Sequence, residues 1–325
     1  MSAYLSSLNP AALLRACPSG MAQGLIWGIM ALGVYLTYRI LDLADLSVDG
    51  SFATGGAVSI ILIINGCNPE ISLLAALFAG IIAGTVTGIL HTKLGIPAIL
   101  AGILTQIALY SINLNIMGKA NQAINASRTS LRITSNLNLL WRTILITAIC
   151  VLVIIGLLYV YLGTESGSAF RATGNNDEMS RSLGINTAHM KIIGLALSNG
   201  LVAFSGGMLA QFQGFSDVNM GRGAIVIGLA AVIIGEVIGE LLFGKQMNYF
   251  LRLLFVVVGA AIYYLVYVLV LWMKFPANDM KLLTAIVVAV FLAVPYLQEQ
   301  RRSSFSNAAK NSSANAAAMT GKEAG

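Results

Sequence analysis

Charge is scarce in this 325-residue chain: only 10% of residues are Asp, Glu, Lys or Arg, against 57% hydrophobic and a mean hydropathy of +0.82. Soluble domains carry roughly 25% charged residues, so a soluble globule of this size could not cover its surface. Histidine occurs only as His91 and His189, and cysteine only as Cys17, Cys67 and Cys150. None of these has metal-ligand spacing, which argues against a haem or histidine-rich metal site, and Cys150 reads as a small core residue. With no His/Asp/Glu cluster, a membrane-embedded enzyme is disfavoured. A phosphate-binding G-x-x-x-x-G-K-[ST] loop is also missing: "SGGMLAQ" and "TGGAVSI" have glycines but no lysine to reach phosphates. No nucleotide or other cofactor is expected on this chain. The N-terminus lacks a basic region followed by an apolar stretch and a cleavage site. The net charge of +6 is modest and is read as membrane topology rather than nucleic-acid binding.

What the chain does have is apolar length. Runs near 20 residues recur at about 21–41, 51–65, 71–91, 96–117, 139–162, 190–212, 223–243, 250–273 and 280–297. Continuous runs of this kind are membrane-spanning helices, whereas a barrel would alternate in short segments. The expected fold is all-α and polytopic, with about 8–10 transmembrane helices, one of them broken or re-entrant. Residues 1–20 read as an interfacial helix, 21–297 as the membrane domain, and the polar, small-residue stretch 298–325 as a disordered tail.

The second run departs from the others. "LDLADLSVDGSFATGGAVSIILI" places Asp42, Asp45 and Asp49 ahead of a Gly/Ser/Thr-rich stretch and only a short apolar segment. Their spacing of three and four would put all three on one helix face. They could line a pathway or cap a broken helix at Ser47 and Ser51. Irregular backbone at membrane depth is tolerated where protein or a water-filled cavity surrounds it. A re-entrant segment would leave the N-terminus inside, the expectation adopted here; a full crossing would leave it outside.

Other polar residues inside the spans include Asn113, Asn115, Asn199, Glu236 and Glu240. The asparagines are candidate pathway residues with Asp45, Ser47 and Asp49, against the alternative of bonds between helices. The acids could be buried and bind an ion or proton, or sit near the inner end and pair with Lys245 or Arg252 or border a partner interface there. Gly80, Gly84 and Gly88, spaced by four, offer a groove for close helix packing.

A polar island, "FRATGNNDEMSRSLGINTAHMK", interrupts the apolar pattern at 170–191. Placing the basic stretch at Arg301 and Arg302 in the cytoplasm puts the loop 163–190 there as well, with ten basic residues on that side against seven on the other. Asn175 or Asn176 can cap a helix opened by Asp177 and Glu178, and Gly184 can stop it. The result is a two-turn helix, amphipathic through Met179 and Leu183. It is too mixed and small for a lipid-lying helix and better suited to a socket on another protein.

The stretch "RATGNNDEMSRSLGINTAHMKIIGLALSNGLVAFSGGMLAQFQG", with "LDLADLSVDGSFATGGA" before it, resembles the permease subunits of bacterial ABC importers, in the branched-chain amino acid and ribose-type group. The resemblance covers roughly 21–297. It implies a multi-pass subunit of the bacterial plasma membrane, in which two permease chains form the pore within the lipid bilayer. Cytosolic ATPases, carrying ATP and Mg, would dock on the island. Arg171, Gly174, Asn176, Asp177, Met179, Leu183, Gly184 and Asn186 would form the coupling loop. An extracytoplasmic binding protein would deliver substrate, with the polar loop "GKANQAINASRTSLRITSNLN" as its candidate dock. The paired "ADLSVDG" and "GNNDEMSRSLGIN" resemble a branch served by a lipoprotein-type binding protein, for which branched-chain or aromatic amino acids are the expected cargo. Asp49, and Glu236 and Glu240 where relatives have small residues, depart from the sugar members. An ion-coupled secondary transporter using these acids is the alternative.

Overall fold

A computed structural model describes residues 10–124, 140–244 and 247–273, with isolated helical positions at Leu282, Ala285, Ile286, Ala289 and Ala293. Residues 1–280 make one compact unit and 281–325 a second. The expected span at 280–297 lies mostly outside the described residues, as do the tail and residues 125–139 of the candidate docking loop.

Helix α1 (Pro10–Tyr35) continues without a break past residue 20 and tightens into a π-helical turn, Leu36–Ile40. Then come α2 (Val48–Ile64), α3 (Pro69–Thr92), α4 (Ala98–Met117), β1 (Asn121–Ala123), α5 (Leu140–Gly163), α6 (Glu165–Asn175), α7 (Asp177–Ser182), α8 (Thr187–Gln213), β2 (Phe215–Asp217), α9 (Ala224–Phe243) and α10 (Tyr249–Trp272). Among the described residues, seven helices are long and apolar enough to cross a membrane, counting α1 with its π turn, and α2 is a shorter apolar helix. The expected all-helical, polytopic fold with one broken segment is what the chain adopts. A small antiparallel ribbon is added to it, pairing Asn121 with Asp217 and Ala123 with Phe215.

Small residues decide which helices touch. A Cβ on Gly24 of α1 would lie 2.7 Å from the Cα of Ala261 on α10, and one on Gly28 would lie 2.8 Å from Val257. On α3, Gly80 faces the Asn199 backbone, Gly84 faces that of Leu195, and a Cβ on Gly88 would come within 2.9 Å of the Ile192 Cα. Without a hydrophobic force between helices in lipid, such backbone approach supplies the dispersion contacts that bind them. The Gly80/Gly84/Gly88 groove is therefore filled by α8 of the same chain.

The N-terminal end of α1 corrects one expectation. Gly20 packs on Val268 near the end of α10, whereas Gly174 of α6 packs on the Ile40 and Leu41 backbone at the other end of α1. Helix α1 thus starts on the face opposite the island and ends at it. The next segment does not turn back on itself. It passes through 41–47 and completes a crossing as α2, whose far end is joined to α3 by Gln211, donating to Ser59, Ser72 and the Pro69 carbonyl. With that crossing, α1 begins on the side away from the island.

Candidate functional site

The break after α1 follows from local backbone chemistry. The Leu41 N–H reaches back to the Leu36 carbonyl (3.1 Å) and that of Leu43 to Thr37 (2.9 Å). Asp42 then takes φ 55°, the left-handed region that short polar side chains tolerate better than bulky ones. The link to α2 runs through the bundle, where every polar group needs a partner. Asp45, only 3% exposed, supplies several. Its Oδ1 accepts from the Ser47 N–H (2.9 Å) and hydroxyl (2.6 Å), and its Oδ2 accepts from Asn199 Nδ2 of α8 (2.7 Å). Asn199 also donates to the Leu195 carbonyl at 3.0 Å.

Asp49 does a different job. Its carboxylate accepts from the backbone N–H groups of Gly223 (2.9 Å) and Ile225 (3.0 Å), capping the otherwise unpaired N-terminus of α9 from a distant part of the chain. Asp42 is exposed. The three acids therefore do not share a helix face, because only Asp49 lies within a helix. Asn113, in α4, is fully buried, and its amide has no hydrogen-bond partner among the described residues.

Glu236 is neither free nor paired as anticipated. Its Oε1 accepts from Arg39 Nε at 2.7 Å, so the partner comes from the end of α1 rather than from Arg252; Lys245 lies outside the described residues. Glu240 is exposed rather than buried. Arg39 was not singled out in the sequence, although a lone arginine in the apolar run "VYLTYRILDL" was a readable signal.

The island holds two helices. The first, α6, opens at Thr164, whose hydroxyl accepts from the Gly167 N–H at 3.1 Å. The pattern "TESG" carried that cap, but it was not read as a helix start. Arg171 lies on α6 with its guanidinium 4.8 Å from the Tyr249 ring centroid. Gly174 lets α6 lie on the α1 terminus, since any Cβ there would collide with the Ile40 carbonyl. The second, α7, falls where Asn176 and Gly184 predicted it. Asn176 Oδ1 accepts from the Met179 N–H (2.9 Å), Gly184 takes φ 84°, and Asn186 caps α8 through the His189 N–H (3.1 Å).

Asp177 ties α7 down, accepting from Arg181 at 2.9 Å and from Lys191 of α8 at 3.1 Å. Burial alone would push its carboxyl up, but the Thr187 hydroxyl, Lys191 and Arg181 outweigh that and hold it below the ordinary carboxylate range. Met179 and Leu183 project outward, 59% and 68% exposed. Beside the island, a cavity of about 650 Å³ has Tyr35, Arg39, Asp42, Arg171, Tyr249 and Arg252 among its lining. The coupling-loop residues are thus contiguous. The pathway candidates split into the Asp45–Ser47–Asn199 cluster, Asp49 at α9, and a separate Asn113.

Comparison with known proteins agrees with this architecture. The family described as "Branched-chain amino acid transport system / permease component" matches residues 18–294. A tyrosine transport system permease protein of Clostridioides difficile is 41% identical over 85% of this chain and 90% of its own length. An uncharacterised protein of Rickettsia prowazekii is 34% identical over 85% of this chain and 96% of its own. An autoinducer 2 import permease of Yersinia pseudotuberculosis is 30% identical over 64% of this chain and 58% of its own. Among solved structures, a metal-chelate type ABC transporter in an inward-facing conformation superposes with a TM-score of 0.50 at 15% identity, over 86% of this chain and 85% of that one. At that identity only the fold is shared. The chain belongs to the branched-chain amino acid transport permease family, and it is a multi-pass membrane permease subunit of a bacterial ABC importer.

Proposed function

We propose that this subunit imports an aromatic amino acid, acting as one of two permease chains, with cytosolic ATPases seated on α7. The observation that carries the ATPase seat is the pair Met179 and Leu183, 59% and 68% exposed on a two-turn helix. That helix is fixed at its first turn by the Asn176 cap and the Asp177–Lys191 contact, and closed at its last by the Gly184 N–H donating to the Arg181 carbonyl. A short helix held this firmly while offering bulky apolar side chains has the form of a plug for a groove on a partner. ATP and Mg belong to that partner. A groove closing on ATP would push α7, and α6 would carry the push to the α1 terminus through the Gly174–Ile40 contact.

The cargo reading rests on the tyrosine transport permease of Clostridioides difficile, 41% identical over most of both chains. Substrate would arrive on the face opposite the island, from an extracytoplasmic binding protein of the lipoprotein-anchored kind. The test is reconstitution of the permease with its ATPase and binding protein in proteoliposomes. Labelled tyrosine is expected to accumulate only in vesicles whose lumen holds the ATPases and ATP, with the binding protein outside, and an excess of leucine to compete poorly. Equal uptake of leucine would shift the cargo to branched-chain amino acids.

A further inference from the structure

A second cavity, of about 350 Å³, opens among α1, the end of α8, β2 and α10. It lies on the face opposite the island, because Gln213 ends the helix that Thr187 begins at the island. Its size is at the lower end of the roughly 300–1,000 Å³ typical of small-molecule sites. One wall is a continuous aromatic surface. The Trp27 and Tyr264 ring centroids are 5.6 Å apart at 33°, and Tyr264 and Tyr267 are 5.8 Å apart at 56°. The Trp27 indole N–H is buried and has no acceptor among the described residues.

The other wall is polar. Asp217 lines the cavity with the amides of Gln213 and Asn219. The Asn219 N–H fixes Asp217 Oδ1 at 2.7 Å, and Asn121 reaches Oδ2 only at 3.3 Å. Among the described residues no basic side chain pairs with this carboxylate. A carboxylate has about four acceptor positions, so it keeps capacity for another donor. An adjoining cavity of about 560 Å³ shares Gln23, Gln213 and Tyr267 with it and extends along α1 toward Ala16. That opening gives access from the same face.

A carboxylate, two amides and a set of aromatic rings around one small space match one chemistry: an aromatic ring bearing an ammonium and a carboxylate. On the reading that the cargo is an aromatic amino acid, we infer that this cavity is the permease's own reception site for it. The ring packs against Trp27, Tyr264 and Tyr267 in the offset or edge-on arrangements that aromatic pairs prefer. The ammonium sits on Asp217, and the amides of Gln213 and Asn219 donate to the substrate carboxylate. An aliphatic amino acid could use the polar wall but not the rings, which gives the selectivity its physical basis.

The experiment has two arms. ATP-driven tyrosine uptake by the reconstituted wild-type system tests the cargo reading. Binding of tyrosine to the purified permease in nanodiscs, without binding protein and read by saturation-transfer NMR, tests the cavity. In the second arm Tyr267→Ala is expected to weaken tyrosine by about 3- to 10-fold, the value of one aromatic contact. Asp217→Asn is expected to abolish the preference for tyrosine over 3-(4-hydroxyphenyl)propionate, which lacks the ammonium. The milder Tyr267→Phe should bind like wild type, and a wild-type size-exclusion profile for Tyr267→Ala shows that its loss is not misfolding. Should Tyr267→Ala fail to fold, the Asp217→Asn preference decides alone. Tyrosine uptake with no nanodisc binding, or with binding indifferent to both variants, overturns the cavity and leaves the cargo reading intact. Absence of both uptake and binding in a system with a working ATPase overturns the cargo reading and the cavity with it.

Discussion

Asn199 donates its side-chain amide to Asp45 at 2.7 Å, across 154 positions of sequence and inside the bundle. This bond joins the irregular link after α1 to the middle of α8, the helix that begins at the island. A displacement of α8 from the island end therefore bears directly on the break in the helical wall at 41–47. Buried networks of this kind hold a single arrangement when fully satisfied and are costly when a member is lost.

Asn199→Leu removes that donor while Asp45 stays buried. Hydrogen bonds to a carboxylate are worth about 1.5–3 kcal/mol, so the variant is expected to lose about 2 kcal/mol and melt at a lower temperature in detergent. Asn113→Leu is the counterpart, because its amide has no bond to the described residues to lose. It is expected to melt within a degree or two of wild type. A fall in transport without a fall in melting temperature would mark Asn113 as a pathway residue.

The Arg39–Glu236 pair is half exposed, 51% and 23% by side chain, and exposed pairs contribute about 0–1 kcal/mol. Glu236→Gln is expected to fold normally and retain most ATP-driven uptake. An ion-coupled carrier relying on this acid would instead lose transport altogether, so uptake by the variant separates the two mechanisms.

Packing makes a sharper prediction at glycine. Gly84→Val drives a branched side chain into the Leu195 backbone, whereas Gly156 has nothing within 4 Å of its Cβ position. Overpacking costs about 1–3 kcal/mol or more. Gly84→Val is expected to aggregate on size-exclusion chromatography, and Gly156→Ala, relieved of helix-interior glycine, to run as wild type or slightly more stably.

Asp177 gives the island a pH dependence. Its folded carboxyl is held below the ordinary value, so its contribution is complete above the unfolded-state value of about 3.9 and is lost as pH falls through the lower folded one. Protection of the α7 amides against hydrogen exchange, taken relative to the intrinsic rate, should hold at neutral pH and fall below about pH 4. Asp177→Asn should show the lowered protection at neutral pH already.

Local signals were legible and distant pairings were not. Asn176 and Gly184 announced α7 because a cap and a left-handed stop are written in adjacent residues. The crowding of Asp42, Asp45 and Asp49 ahead of a short apolar run announced the broken helix, although their spacing suggested a common face that the non-helical link abolishes. The Arg39–Glu236 pair spans 197 positions and Asp49 caps a helix far along the chain. No periodicity encodes either contact. The side on which α1 begins depended on whether 41–64 crosses or returns. Its short apolar segment left that open until α2 was seen to complete the crossing, aided by the bonds of Gln211 near the start of α3.

Cross-linking reads out whether α7 is where this permease receives work from an ATPase. A Met179→Cys chain, purified in mild detergent with its cytosolic ATPase, should form a specific cross-link to that ATPase through a short bifunctional reagent. Adding Asp177→Arg and Gly184→Pro should abolish both the cross-link and ATP-driven uptake. An ATPase that still co-purifies and still drives uptake after α7 is disrupted would contradict the account, as would tyrosine entry into vesicles that contain no ATP.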